Sequence, residues 1–383
     1  MVEKEQPTLK IALLADVHLE AKFSMLPPEA RKVRRFNIRR ALETAVESAV
    51  SRGVDAIMIA GDLYEEERFS PDTAEFCRRI FGDVSPVPVL LAPGNHDWYG
   101  PDSMYATLRW TPNVHVFKTN SLEPYDLEDG VRVWGFAHLN PATEIRPLEN
   151  FSVEGRADIH LGLIHGAEVS RLRAELALDP NKRSYAPFDE KEIERSGLHY
   201  VLAGHFHRPS RSRWCTYPGN PDPLSFHEEG GQLKRGLVIL EVSERGEVRE
   251  VERVEVAQSR VCTVEIDVGE VPDASALLDE VERRLGNGAA EGWVEGAFML
   301  VSLVGRLSPT IDLSDVEDNL KQRMRSVAAL LVDTSGLRPS LNLDSIRAER
   351  SIRGEFVRLV EASGLEADIE EQVLRVGLEA LGE

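Results

Sequence analysis

Asp55-Ala-Ile-Met-Ile-Ala-Gly-Asp62 decides how this chain folds. An apolar run of strand length breaks at Gly61 and stops on a carboxylate. A strand buried on both faces reads as such an unbroken apolar run, and a glycine lets the backbone bend tightly where it ends. Upstream, Leu9-Lys-Ile-Ala-Leu-Leu-Ala15 has the same character and feeds Asp16-Val-His18. Downstream, Val87-Pro-Val-Leu-Leu-Ala92 delivers Gly94-Asn95-His96-Asp97. Between these runs, residues 36–52 carry Ile38, Leu42, Ala45, Val46 and Ala49 near helical spacing, with Gly53 placed to close the helix. Residues 73–81 also read as helix. This strand–helix–strand rhythm is that of parallel βαβ units, whose ligands sit beyond the carboxyl ends of the strands.

Further along, residues 130–137, 159–165, 200–203 and 236–242 read as strands separated by turn-rich stretches, and are expected to pair in a more antiparallel manner. Two sheets packed face to face with flanking helices accommodate both halves. Two of these later runs again end on polar motifs, Ile164-His165-Gly166 and Gly204-His205-Phe206-His207.

Five strand-end motifs thus supply Asp16, His18, Asp62, Asn95, His165, His205 and His207, enough for two divalent ions sharing a carboxylate. Residues i and i+2 of a strand face one side, so Asp16 and His18 are expected to reach one ion together. His205 and His207 have the same spacing and reach one ion each if the strand end turns. Asp62 is placed to bridge, and Asn95 offers an uncharged oxygen. His138 also follows a strand and rivals His165; the glycine after His165 favours the latter. Oxygen with imidazole suits Mn, Fe or Zn better than Ca, with Mg less natural. His96 adjoins a ligand without being needed as one, which leaves it free for acid work. Asp97 is read either as a group that orients an imidazole or as a helix N-cap.

Hydrophobic residues make up 42% and charged residues 29%, a balance that fits a soluble globular chain rather than a disordered one. No apolar run is long enough to cross a bilayer, and Met-Val-Glu-Lys-Glu-Gln-Pro lacks the character of a signal peptide, so a cytoplasmic location is expected. Cys77, Cys215 and Cys262 are far apart and in no metal spacing, which argues against a disulfide framework. The net charge of -20 speaks against gripping nucleic acid through an overall field. Bound divalent ions would outweigh the Asp16 and Asp62 carboxylates and set the local field instead.

The ordered set of motifs resembles the calcineurin-like metallophosphoesterase superfamily. The resemblance implies a four-layer α/β/β/α sandwich. It implies one ion on Asp16, His18, Asp62 and His207 and a second on Asp62, Asn95, His165 and His205. It makes His96 the residue that contacts the phosphate and protonates or stabilises the leaving oxygen. A narrower likeness, carried by Gly61-Asp-Leu-Tyr64, Gly204-His-Phe-His-Arg-Pro209, Tyr217-Pro-Gly-Asn-Pro-Asp-Pro-Leu-Ser-Phe226 and Ser351-Ile-Arg-Gly-Glu-Phe-Val357, is to the SbcD-like DNA repair exonuclease family. That likeness implies homodimerisation through the phosphoesterase domain, a capping module, and terminal helices that bind the coiled-coil base of an SMC-like (SbcC-type) ATPase; of the metals the donors suit, manganese is the one expected. One departure stands out. Those nucleases commonly carry His three residues after the bridging Asp, where this chain has Glu65, followed by Glu66 and Glu67. Three carboxylates beside the site repel a DNA backbone unless they point away or bind metal.

The chain divides into a phosphoesterase domain at 1–258, an α+β capping domain at 259–310 and a helical tail at 311–383. Within the capping domain 261–268 reads as strand, 274–285 as helix, 286–292 as loop and 298–304 as strand. In the tail, Ile352, Phe356, Leu359 and Val360 form one apolar stripe and Leu374, Leu378 and Leu381 another. These stripes either dock on a partner or pack on their own module. From Ser259 onward 13 basic residues face 24 acidic ones, which makes this region a poor DNA contact. No Gly-x-x-x-x-Gly-Lys phosphate loop occurs, so any ATP-driven step belongs to another chain. Residues 31–40 hold six basic residues; Arg34, Arg35 and Arg39 are read as DNA phosphate contacts or as a solvated helix face. Trp98 and Tyr99 are placed to stack on a base or to pack their loop. Three functions compete: a manganese-dependent DNA exo/endonuclease subunit working with an ATPase, a phosphodiesterase or phosphatase for small esters, and a DNA-end scaffold that cleaves weakly.

Overall fold

The computed structural model describes residues 9–127, 130–142, 144–178, 184–228, 235–289, 295–306, 313, 316–324, 326–338 and 343–381. Two compact units emerge, one of Met1–Thr263 with Gly292–Met299 and Ser326–Ala329, the other of Val264–Glu291, Leu300–Arg325 and Leu330–Glu383.

In the first unit the order is β1 (Leu9–Leu14), α1 (Pro28–Ser51), β2 (Ala56–Ile59), α2 (Pro71–Gly82), β3 (Val89–Leu91), α3 (Met104–Thr107) and β4 (Val114–Val116). β5 (Glu123–Asp126), β6 (Val131–Gly135), β7 (Ile159–His165), α4 (Val169–Leu178), α5 (Glu190–Ser196) and β8 (Tyr200–Gly204) follow. β9 (Ser210–Arg211), β10 (Cys215–Tyr217), β11 (Gly236–Val242) and β12 (Val248–Glu255) complete it. One sheet runs β12-β11-β1-β2-β3-β4 and the other β5-β6-β7-β8-β10-β9.

In the first sheet β1 to β4 are parallel, as the βαβ rhythm requires. The expectation of antiparallel pairing holds for β11, which pairs antiparallel with β1 and β12, and is corrected in the second sheet, where β6, β7, β8 and β10 run parallel. Helices α4 and α5 lie between β7 and β8 in sequence, so that step is itself a crossover. Consequently β1, β2, β3, β7 and β8 all carry polar motifs at their carboxyl ends.

Alternation along the strands builds the layers. Ile11, Leu13, Met58 and Leu90 face Val133, Leu161, Leu163 and Leu202 between the two sheets. Ala12, Leu14, Ile57 and Ile59 turn the other way, onto Ile38, Leu42 and Ala45 of α1 and Phe81 of α2. On the outer face of the second sheet Ile164, Val201 and Ala203 pack on Phe188 and Ile193. Helices, sheet, sheet and helices form four layers. Each fully buried Leu or Ile side chain contributes about 1.5–3 kcal/mol.

α1 begins at Pro28, eight residues before the expected start, with proline in its first turn where no backbone donor is lost. Apolar periodicity did not reveal the stretch from 28 to 35 because one of its buried positions is filled by arginine. Arg34 continues the inward row of Ala30, Ile38, Ala41 and Ala45, and its guanidinium pairs with the buried Asp222 at 2.9 Å and reaches Pro223 O. Asp222 accepts as well from the backbone N–H groups of Gln258 and Ser259, each at 2.8 Å.

A three-stranded sheet is formed by β13 (Val261–Asp267), β14 (Phe298–Arg306) and β15 (Ala329–Arg338) in that order. α6 (Ala274–Ala289), α7 (Val316–Arg323), α8 (Leu343–Ala348), α9 (Ile352–Glu361) and α10 (Ala367–Ala380) are the remaining helices. Two expectations change. α6 runs on through 286–289, residues read as loop; 290–292 lie outside the described residues. β15 falls within the stretch read as mainly helical, since a short apolar run such as Leu330-Leu-Val332 does not separate strand from helix. On α9 the buried face is Gly354, Val357 and Val360, packed with Ile346, Leu374 and Leu378. Ile352 and Leu359 of the expected stripe are exposed. Among the described residues no helix is long and apolar enough to cross a membrane.

Removing one partner of a buried ion pair leaves an uncompensated charge. Asp222→Ala is therefore expected to cost about 3–5 kcal/mol of stability, measured by urea unfolding, and Arg34→Met in the same chain is expected to restore part of it.

Candidate metal centre

All seven expected ligands meet at one edge of the sandwich, but not by strand pleating. β1 stops at Leu14, and Asp16 and His18 lie beyond it with φ of 54° and 53°. Asp62 has φ 53° and His205 φ 111°. A left-handed backbone at a residue other than glycine is strained and is characteristic of sites that need it. Asp16 and His18 therefore converge through a turn, which corrects the expectation that they share one face of an extended strand. The turn is fixed by backbone bonds from Asp16 N to Gly61 O at 3.0 Å and from His18 N to Asp62 O at 2.9 Å. Gly61 has φ 82°, and a side chain there would overlap the His165 ring. At Gly204 a Cβ would collide with Ala60 O, so only glycine allows the two sheets to approach this closely.

His165 is buried, and its Nδ1–H donates to Ala60 O at 2.8 Å. That bond turns the lone pair of Nε2 toward Asn95 Oδ1 at 3.1 Å and Asp62 Oδ2 at 3.2 Å. Three electron-rich atoms converging in this way suit a cation among them. His18 repeats the pattern. Its Nδ1 is 2.8 Å from Glu65 Oε1, while its buried Nε2 has no hydrogen-bond partner among the described residues and lies 3.5 Å from Asp62 Oδ2. One oxygen of Asp62 thus stands between two imidazole nitrogens, as a bridging ligand must.

Asp16, His18 and His207 each offer a ligand atom within 4.8 Å of the others, and so do Asp16, Asp62 and His165. The His207 ring is 5.3 Å from the His18 ring, and the His205 ring 5.5 Å from the His165 ring. His205 N donates to both oxygens of Asp16 at 3.0 and 3.1 Å. Oxygen and imidazole donors in this arrangement fit two divalent ions of the Mn, Fe or Zn kind.

Against this geometry, residues 9–209 match the family described as Calcineurin-like phosphoesterase. The chain belongs to that family. Its members use divalent ions to hydrolyse phosphoesters, so the family and the donor set agree. The chain is 26% identical over 282 residues to the uncharacterized metallophosphoesterase YhaO of Bacillus subtilis, covering 70% of this chain and 65% of that protein. It is 27% identical over 303 residues to the DNA double-strand break repair protein Mre11 of Aeropyrum pernix, covering 72% and 67%. To Mre11 of Methanopyrus kandleri it is 26% identical over 306 residues, covering 73% and 63%. The chain thus spans about two thirds of the length of these relatives.

Within this phosphoesterase site, His96 is the exposed imidazole. Its ring is 4.7 Å from that of His18, and its Nδ1 is 3.1 Å from Glu65 Oε2. Its backbone N–H donates to Asp62 Oδ1 at 2.8 Å. Glu65, read as a repulsive charge, instead sits between His18 and His96. Burial raises its carboxyl, but hydrogen bonds from the two histidines overcome this and hold it at about 2. Glu66 turns to the hydroxyl of Tyr64, and Glu67 pairs with Lys22 in solvent. No two of the three carboxylates share a partner.

Asp97 neither orients an imidazole nor caps a helix. It accepts from the backbone N–H groups of Asp62, Leu63 and Gly94 and from the Tyr105 hydroxyl. Burial and the Asp62 charge push it up to about 6. His138, the rival to His165, donates through Nε2 to His165 O at 2.8 Å and lies behind the cluster. Burial lowers it to about 4.

The basic stretch does not assemble as a phosphate-binding row. Arg34 is buried on Asp222, which removes it as a DNA contact. Arg39 is held by Glu20 and Asp72, and Arg35 lies 3.8 Å from Glu20. Trp98 and Tyr99 are half-buried, and Tyr99 packs against the core beneath α1. Sequence reading missed Glu228, whose Oε1 is 2.8 Å from His207 Nδ1. Burial raises this carboxyl and the bond to His207 brings it to about 2. Its distance along the chain from His207 gave no signal.

Ligands that bind only the folded state stabilise it by mass action, by about 2.7 kcal/mol at one hundred times Kd. Mn2+ at that level is expected to raise unfolding stability over EDTA-treated protein by about this amount for each ion held. Asp62→Ala is expected to abolish most of the gain in urea titrations.

Proposed function

We propose that this chain is a metal-dependent phosphodiester hydrolase acting on DNA, the nuclease subunit of a repair complex of the SbcD and Mre11 type. One observation carries the DNA assignment: the likeness to the Mre11 proteins covers 72% and 73% of the chain, more than the phosphoesterase segment alone. In this reading Asp16, His18, Asp62 and His207 hold one ion, and Asp62, Asn95, His165 and His205 hold the other. Manganese is the proposed metal. When bound, the pair supplies Lewis acidity at the phosphoryl oxygens and activates water for in-line attack.

The chain's own residues do the rest. His96 stands exposed beside His18, with Nδ1 tied to Glu65, so its Nε2 is available to donate a proton to the leaving oxygen. Glu65 restrains His96 and His18 together, and its charge is spent on them rather than presented to a DNA backbone. The module after residue 258 serves as a cap over the substrate groove. The terminal helices serve as the docking element for an SMC-like ATPase, and the exposed Ile352 and Leu359 on α9 support that role. Homodimerisation through the phosphoesterase domain completes the proposed assembly.

Purified chain with Mn2+ is to be given single- and double-stranded DNA, bis-p-nitrophenyl phosphate and p-nitrophenyl phosphate. The expected result is DNA cleavage that His96→Ala lowers by roughly 10²–10⁴-fold while Mn2+ binding is kept. Turnover of the small esters with DNA left intact would replace the nuclease with a small-molecule phosphodiesterase. Retained DNA-end binding without any turnover would leave a scaffold.

A further inference from the structure

Glu228 holds the side chain of His207, and Asn220 and Arg235 hold its backbone carbonyl. The carboxylate of Glu228 takes His207 Nδ1 on Oε1 at 2.8 Å. Its other oxygen accepts from Asn220 Nδ2 at 2.5 Å and from Leu224 N at 2.9 Å. Asn220 N donates to His207 O at 3.2 Å, and Arg235 donates to that same carbonyl at 3.0 Å. Arg235 also reaches Asn220 Oδ1 and the backbone oxygen of Glu228. Asn220 and Arg235 are both buried. Glu228 therefore cannot swing away from His207 without also losing its bonds to Asn220 and Leu224, and Asn220 is one of the two residues that hold the His207 carbonyl.

Among the candidate ligands this arrangement has a specific consequence. His165 donates its second nitrogen to a neutral backbone carbonyl, whereas His207 donates to a carboxylate. A carboxylate partner fixes the tautomer, leaves Nε2 as the ligating atom and raises its basicity. His207 is also the more accessible of the two, its side chain 28% exposed where that of His165 is fully buried. On a partly exposed loop, the bond to Glu228 keeps the imidazole in ligating position.

We propose that Glu228 is the positioning residue of the ion held by His207, acting through the His207 imidazole and backed by Asn220 and Arg235. The proposal rests on the two-ion reading of the site. It predicts asymmetry: Glu228 governs the ion on Asp16, His18 and His207, and the ion on Asn95, His165 and His205 is indifferent to it.

The test is Mn2+ titration of the full chain by calorimetry, with free Mn2+ counted by electron paramagnetic resonance and folding checked by circular dichroism. Wild type is expected to show two sites. Glu228→Gln is expected to weaken one of them by roughly 10–100-fold and leave the other as it was or tighter. Glu228→Asp, one methylene shorter, is expected to weaken the same site. In a His207→Ala background Glu228→Gln is expected to add no further loss. A folded Glu228→Gln chain with both sites unchanged overturns the proposal, and so does equal weakening of both or an added loss over His207→Ala. If Glu228→Gln does not fold, Glu228→Asp carries the test by the same criteria; failure of both to fold assigns Glu228 to the scaffold and overturns it. Wild type binding fewer than two Mn2+ would instead refute the two-ion reading.

Discussion

Asp62 is held from every side, and the site depends on that. Its backbone N–H is taken by Asp97, its carbonyl by His18 N, and one carboxylate oxygen by His96 N. What remains is the second oxygen, fixed between the imidazoles of His18 and His165. Three of the residues around this point, Asp16, His18 and Asp62, occupy left-handed backbone. Each such residue costs about 1–3 kcal/mol, and the bonds between the β1 and β2 extensions offset it. Asp97 joins that turn to the Gly94 loop, so the carboxylate and the Asn95–His96 pair are positioned by one acceptor. Relaxing any one of these constraints moves a ligand that both ions would share.

Much of the centre was legible in the sequence because the chemistry sits where strands end. Apolar runs closing on Asp16, Asp62, Asn95 and His165 carry their own addresses, since a parallel sheet brings its carboxyl ends to one edge. The way Asp16 and His18 meet was not legible, because spacing alone does not separate a pleat from a left-handed turn. Nor was the role of Arg34. An arginine inside a basic helix reads as solvated, and only the position of Asp222, far along the chain, makes it interior. Glu65 and Glu228 share that difficulty. Composition gives them a charge but not a partner, and each proves to be bound to an imidazole. β15 was missed for a different reason, the ambiguity of a short apolar run.

These partners also reconcile a strongly acidic chain with a phosphate substrate. The net charge of -20 is a property of the whole surface. At the site Asp16 and Asp62 are candidate ligands, and Glu65 and Glu228 are hydrogen-bonded to histidines. In the proposed two-ion reading that negative charge would hold cations and orient rings, and the ions themselves would set the electrostatics at the mouth. The scattered pairing of Arg35 and Arg39 with Glu20 is consistent with a chain that does not rely on a basic surface.

The donors are divided between the two layers of the sandwich. Asp16, Asp62 and Asn95 follow strands of the first sheet, and His165, His205 and His207 follow strands of the second. An ion seated among them is therefore also a rivet through the fold. Chelation would do more than silence chemistry: it would unfasten one margin of the sandwich, so that the stripped protein becomes softer to proteases along the seam where Gly204 passes beneath Ala60.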